Sequence, residues 1–156
     1  MLKKTKLLLL SVLTAFFALL LIQAVPYGRN HANPPIVSEP SWDSPTTRTL
    51  ARRACFDCHS HETIWPWYSR VAPMSWLVQY DVDKGRRKLN FSDWHNGAHE
   101  GKRPDKIREE ITEGEMPPVA YRLAHPEARL TDAEKRRLAD GLSATAIDPD
   151  PLRQSR

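Results

Sequence analysis

The chain has 156 residues, of which 40% are hydrophobic and 27% charged, with a net charge of +4. Three of the positive charges are Lys3, Lys4 and Lys6, so the rest of the chain carries only +1. Its basic clusters, Arg52-Arg53 and Arg86-Arg87-Lys88, are short and lie among acidic residues, which is typical of a solvated surface and gives no reason to expect a nucleic-acid partner.

An apolar run follows the N-terminal lysines, from Leu7 to Val25, and stops at Pro26. As a helix its 19 residues would span about 28 Å, close to the roughly 30 Å of a bilayer core. Ile22-Gln23-Ala24 has a bulky residue where signal peptidase prefers a small one. We therefore expect residues 1–25 to remain as a single transmembrane anchor rather than a removed signal peptide, with the lysines in the cytoplasm.

The rest of the chain divides into three parts by composition. Residues 26–43 are rich in proline, asparagine and serine without periodicity, which predicts a flexible tether. Residues 44–145 predict one small domain, whose core is thin unless a bound group adds apolar surface. Residues 146–156 contain two Asp-Pro steps and are expected to fray.

The predicted domain opens on a helix that leads to a paired-cysteine motif. Ser44 and Pro45 are a typical cap and first residue for a helix to Ala54, directly before Cys55-Phe56-Asp57-Cys58-His59. Cys55 and Cys58 are the only cysteines of the chain. Their spacing matches c-type haem attachment, in which two thiols form thioethers with one porphyrin and the adjoining imidazole ligates iron.

Three other interpretations of the motif compete with haem attachment. A zinc site would need a compact second half, which the remaining histidines do not offer: His31, His61, His95, His99 and His125. A thioredoxin-like site would need a βαβ context, which the flanking sequence lacks. A structural disulfide stays open in an oxidising compartment but gives His59 no role. The export signal beside the motif favours haem attachment.

The remaining elements are also predicted as helix and loop. Trp65-Pro66-Trp67-Tyr68 predicts a packed loop, either at a core corner or against a porphyrin. Pro73 opens a helix that ends near Gly85 or Leu89. Its predicted buried face includes Met74, which is therefore expected in the core, and comprises Met74, Leu77, Val78 and Val82.

Two further helices complete the domain. Pro104 starts one that carries Ile107 and Ile111 and stops near Gly114. Thr131 to Glu134 forms a capping box before the last helix, which is expected to bury Leu138 and Leu142. The fold class is predicted as all-α: a small cytochrome c-like helical domain behind a single N-terminal transmembrane helix.

The second axial position on the iron decides between an electron carrier and a catalyst. Met116 is the favoured ligand, since it lies just past a helix stop and before Pro117-Pro118, which can hold its thioether inward. The chain between His59 and Met116 is long enough to wrap a porphyrin. His61 is too near His59 to reach the opposite face easily, and the other candidates are His95, His99 and His125.

The sequence resembles the haem-binding domain proteins of bacterial envelopes, which are similar in style to small cytochromes c. The matching stretches are Cys55 to Ser60, Thr63, Trp65 to Ser69, Ala72-Pro73, Ser75 to Leu77, Asp81-Val82, Gly85-Arg86, Leu89 to Ser92, Trp94, Met116 to Pro118 and His125 to Leu130. The resemblance implies one haem attached through Cys55 and Cys58, with His59 as an axial ligand. Similarity to the Met-Pro-Pro loops of small cytochromes c points to Met116 as the other. Gly141 departs from the pattern, since such proteins often carry tryptophan there.

The function predicted from these observations is that of a monohaem c-type cytochrome. It would sit on the periplasmic side of the inner (cytoplasmic) membrane, hold one covalent haem c with its iron per chain, and exchange single electrons with an unidentified redox partner protein. No residue is predicted to act as a nucleophile or general base. The alternatives are a peroxidase-like haem enzyme or ligand sensor with an open sixth site, and a module that stores or delivers haem.

Overall fold

A computed structural model describes residues 2–96 and 100–147 of the chain. Within these residues the structure is helical, without a β-strand and with one isolated parallel bridge between Ser38 and Asp93. The all-α prediction is therefore confirmed. His99 and residues 148–156 of the predicted tail lie outside the described residues.

Seven α-helices follow one another within residues 2–96 and 100–147. They are α1 Leu2–Ile22, α2 Pro45–Ala54, α3 Phe56–His59, α4 Met74–Lys88, α5 Pro104–Thr112, α6 Val119–Ala124 and α7 Asp132–Ile147. Short 3₁₀ turns cover Trp67–Arg70, Glu100–Lys102 and Pro126–Ala128. The chain divides into two compact units: unit 1 contains Met1–Ala32 and Trp65–Asp81, and unit 2 contains Asn33–Ile64 and Val82–Arg156.

Unit 1 contains the apolar helix α1. Its residues Lys3–Ile22 are long and apolar enough to cross a membrane. None of the apolar side chains from Leu7 to Leu21 is covered by protein, with Leu7 exposed by 70% and Leu21 by 57%. These exposed side chains suit a lipid environment better than water.

Three helices of unit 2, α2, α5 and α7, begin or end close to where local sequence signals predicted. Ser44 Oγ accepts the Thr47 N–H at the start of α2, at 3.2 Å. Thr131 and Glu134 form the reciprocal capping box of α7, with the Glu134 carboxylate accepting the Thr131 N–H at 2.8 Å. Gly114, with a φ of 79°, follows the end of α5.

The core of unit 2 forms where α5 and α7 pack together beside α2. The predicted core residues of α5 and α7 are all buried there: Ile107, Ile111, Leu138 and Leu142. Gly141 explains the close contact of α2 and α7, because a Cβ at this position would lie 2.0 Å from Thr47 Oγ1. The tryptophan often found here in similar proteins would not fit against Thr47.

The predicted buried face of α4 is wrong in part. Met74 and Leu77 are exposed by 42% and 50%, whereas Ser75 and Val82 are buried. Instead, the small residues Ser75 and Gly85 face the protein, where the backbone of another segment approaches each of them closely. A prediction from hydrophobic spacing considers only the large apolar side chains. It therefore gave the wrong buried face at the start of α4.

Part of the predicted tether makes specific contacts inside unit 2. The Val37 N–H donates to the Ser92 carbonyl at 2.8 Å, and Glu39 accepts hydrogen bonds from both Arg48 and Trp42. The Trp42 ring packs at 5.2 Å from the ring of Phe91 in the core. Such contacts leave no periodic pattern in the sequence, so the sequence could not predict them. The predicted domain boundaries stay predictions.

Candidate functional site

A cavity of about 220 Å³, open to solvent on one side, lies in unit 2. It brings together three of the four predicted site residues, Cys55, His59 and Met116. The rest of its wall is mainly apolar and also contains four charged side chains. These lining residues are Leu89, Phe91, Ile107, Ile111, Leu142, Gly101, Arg87, Lys88, Lys106 and Glu110. Its volume is below the roughly 300–1,000 Å³ of pockets that enclose a whole ligand, so a large planar group would keep an exposed edge.

The cysteine motif occupies the turn between α2 and α3. Both the Cys58 and the His59 N–H groups donate to the Cys55 carbonyl, at 3.2 and 2.9 Å. A spacing of three residues in a helical turn brings Cys55 and Cys58 near one side of the backbone, but only Cys55 lines the cavity and Cys58 does not. Phe56 is 2% exposed and stacks at 5.4 Å on Phe91, which fixes the turn against the core. The two cysteines are not joined by a disulfide.

One ring nitrogen of His59 is held by a backbone carbonyl. Its Nδ1 lies 2.9 Å from the carbonyl oxygen of Leu89. Because a carbonyl can only accept, Nδ1 carries the proton and Nε2 keeps its lone pair. Burial lowers the pKa of His59 below its ordinary value, so the ring is neutral at pH 7. A neutral imidazole with its second nitrogen held by a carbonyl is the usual state of a ligating histidine.

Gly85 allows α4 to cross directly over the motif. A Cβ on Gly85 would lie 2.3 Å from the Cys58 carbonyl oxygen and 3.0 Å from its Cβ. Three residues later α4 ends at Lys88, and Leu89 then presents its carbonyl to His59. The helix therefore sets the position of both Cys58 and His59.

Gly85→Ala is expected to destabilise the protein and to reduce haem attachment. In an open helix the change would stabilise by about 1 kcal/mol, but here the methyl group must displace the Cys58 backbone, at a cost of roughly 1–3 kcal/mol. Urea unfolding and haem absorbance per chain measure both effects. Lys84→Ala, on the exposed side of the same turn, is the control. A Gly85→Ala protein as stable and as fully loaded as the control would contradict the expectation.

Arg86 corrects the prediction that its basic cluster is ordinary solvated surface. Its side chain is partly buried, and its Nε donates to the Ser60 carbonyl at 2.8 Å while a second nitrogen donates to Thr63 Oγ1 at 3.0 Å. Arg86 thereby braces the loop that follows the motif. The charge pattern alone could not show which of three consecutive cations points inward.

Asp57 and Tyr121 join the motif to the chain that follows Met116, a contact that sequence reasoning missed. The Tyr121 hydroxyl donates to Asp57 Oδ2 at 2.7 Å, and Asp57 Oδ1 accepts the Ile64 N–H at 2.9 Å. Burial and the Asp57 carboxylate raise the pKa of Tyr121, so its hydroxyl keeps its proton. The Met116 N–H donates to the Glu110 carbonyl at 2.8 Å, so the Met-Pro-Pro segment is held on both sides.

The other predicted histidines make local contacts. His31 stacks on Trp65 at 4.6 Å, His61 bonds the Pro35 carbonyl and Asn90, and His125 stacks on Tyr121 and pairs with Glu127. His95 is exposed. Among the histidines within residues 2–96 and 100–147, only His59 lines the cavity.

No cluster of three or more histidine, cysteine, aspartate or glutamate side chains occurs in the part of the chain that the structure describes. The sequence profile of the haem-binding domain family matches residues 17–144. The chain belongs to the haem-binding domain family. No curated protein and no solved structure shows a significant match.

The cavity residues of this haem-binding domain fit the group that the family implies. A haem needs an apolar slot, a neutral imidazole and, when covalently held, free thiols. The cavity wall includes the apolar side chains of Phe91 and Ile107, the imidazole of His59 and the thiol of Cys55, which is in no disulfide. Burial raises the pKa of the Cys55 thiol to about 12, so the thiol is protonated at pH 7.

Proposed function

We propose that this haem-binding domain protein holds one covalent haem c on the periplasmic side of the inner membrane and passes single electrons to an unidentified redox partner protein. The observation that supports it best is the meeting of His59 and Met116 in the cavity beside Cys55. Cys55 and Cys58 would form the thioethers, and His59 and Met116 would be the axial ligands. The bound haem would supply one-electron redox chemistry.

The chain's own residues have defined tasks in this proposal. The Leu89 carbonyl keeps the proton of His59 on Nδ1, so Nε2 stays available. Phe91 and the two isoleucines of α5 exclude water from the apolar wall. Arg87, Lys88 and Lys106 line the cavity as cations that can pair with the carboxylates of the ligand.

A ferric absorption spectrum of the purified full-length protein tests the carrier function. A low-spin spectrum with a methionine-to-iron band near the red end of the visible range is expected. Haem staining after denaturing electrophoresis should show the covalent link in the same sample. A high-spin spectrum that changes on adding azide would instead favour the peroxidase-like enzyme or ligand sensor, for which Glu110 at the cavity wall is a candidate acid–base group.

Residues 1–25 are expected to hold the protein in the inner membrane. The support is the length of Lys3–Ile22 and its uncovered apolar side chains. A fragment that begins at Tyr27 and is exported by another signal should be soluble and still loaded with haem. Cell fractionation measures whether each protein stays in the membrane, and the intact mass of the protein shows whether haem is attached. Release of the native protein by osmotic shock, with residues 1–24 missing by mass, would show a cleaved signal.

A further inference from the structure

Unit 1 carries large apolar side chains that the protein leaves uncovered. Trp67 is exposed by 80%, Val71 and Leu77 by 50% each, and Met74 by 42%. We call these four residues the exposed apolar strip. The surrounding residues 65–80 include Arg70 as their one charged residue, although 27% of the whole chain is charged. A stretch rich in tryptophan and apolar residues with a single cation is typical of a segment that lies at a membrane interface.

Gln23 fastens this segment to the end of α1. Its side-chain Nε2 donates to the Ala72 carbonyl at 2.9 Å, and its Oε1 accepts the Ala72 N–H at 3.0 Å. Gln23 directly follows Ile22, the last residue of α1. Both backbone groups of Ala72 are therefore held at the level of the helix end.

Two further residues after α1, His31 and Gly28, contact the same segment. His31 Nε2 lies 3.1 Å from the Ser69 carbonyl, and the His31 ring stacks on Trp65 at 4.6 Å. Gly28 approaches Ser75 so closely that a Cβ would lie 2.1 Å from the Ser75 carbonyl oxygen. The segment thus meets the chain after α1 at three positions, which makes its placement a built feature of unit 1.

The length of α1 fixes the depth of these contacts in a bilayer. The apolar run Leu7–Val25 has 19 residues, or about 28 Å of helix, which is close to the thickness of the hydrocarbon core. Gln23 is two residues before the end of this run and therefore lies near the boundary between the core and the headgroups. Val71 and Met74 are within two residues of Ala72, so they lie within about 8 Å of that boundary along the chain. Tryptophan and arginine side chains are favoured at this depth.

We infer that the exposed apolar strip rests in the headgroup region of the bilayer that α1 crosses. The inference rests on the proposed retention of α1 as an anchor. Trp67, Val71, Met74 and Leu77 would bury apolar surface among the lipids, and Arg70 would face their phosphates. Unit 1 is then held to the membrane by a surface as well as by the span, which restricts rotation of the unit about the axis of α1.

Photocrosslinking of the haem-loaded full-length protein tests this surface. We would incorporate p-benzoylphenylalanine in place of Leu77 and, in a second protein, in place of Met74. Leu123 of unit 2, exposed by 70%, provides the matched control position. Each protein is placed in nanodiscs of phosphatidylethanolamine and phosphatidylglycerol, irradiated and analysed by mass spectrometry. Lipid adducts at positions 74 and 77, at several times the yield at position 123, are expected.

Each contrary outcome overturns either the membrane contact of the exposed apolar strip or the retention of α1 as an anchor. Intact α1 with no lipid adduct at 74 or 77, or with equal yields at all three positions, overturns the surface alone. Crosslinking of 77 to a second copy, seen as a dimer band, also overturns it in favour of self-association. Loss of residues 1–24 by mass overturns the anchor and with it the surface. The haem spectrum of the same samples reports on haem binding separately from each of these results.

Discussion

A Cys55→Ser/Cys58→Ser double variant is expected to lose all covalently bound haem. The chain contains no other cysteine, so no thioether can form. The apolar wall of the cavity, which includes Leu89 and Phe91, would then lose the group that covers it. We expect the free energy of unfolding to fall by roughly 2–4 kcal/mol, the scale set by a tightly bound ligand that only the folded state holds.

Haem staining after denaturing electrophoresis measures the covalent link, and urea unfolding measures the stability. The single variants Cys55→Ser and Cys58→Ser are the matched controls, since each keeps one thiol for a single thioether. They should retain stainable haem at reduced yield. A haem-stained band that survives denaturation in the double variant would remove both cysteines from the proposed attachment site.

Local signals in the sequence predicted most of the fold of unit 2. Ser44 and the Thr131–Glu134 box begin their helices through hydrogen bonds to residues three positions away, and Pro104 opens α5. Such contacts can be read from the sequence because both partners lie in the same turn. Helix α6 was missed because it has six residues and none of them is buried, so it carries no hydrophobic periodicity.

The residues that orient the site do so through contacts between segments that are distant in sequence, which no local sequence pattern predicts. Tyr121 reaches Asp57 across 64 positions, and the Leu89 carbonyl reaches His59 across 30. Gly85 matters through the space it leaves for the Cys58 backbone, which only tertiary packing creates. The sequence predicted the residue types that can hold a haem, while the groups that orient them follow from how the helices pack. The axial role of Met116 stays a prediction.

Met116→Ala is expected to keep the covalent haem and to lower the midpoint potential. The thioethers and His59 are untouched, so attachment should persist, while the distal face becomes open to water or added ligand. Oxygen and nitrogen donors favour ferric iron more than a thioether does. Because axial ligands and their surroundings set haem potentials over roughly 0.8 V, we expect a fall on the order of 0.1 V or more.

Ferric spectra and redox titrations of the native and Met116→Ala proteins measure the change, with azide binding as a third readout. Met74→Ala is the matched control, because Met74 is 42% exposed and is not part of the cavity wall. It should leave the spectrum, the potential and the azide affinity unchanged. If Met116→Ala behaves like Met74→Ala in all three measurements, Met116 packs against the cavity without ligating the iron. His95, His99 and His125 would then be the next residues to replace.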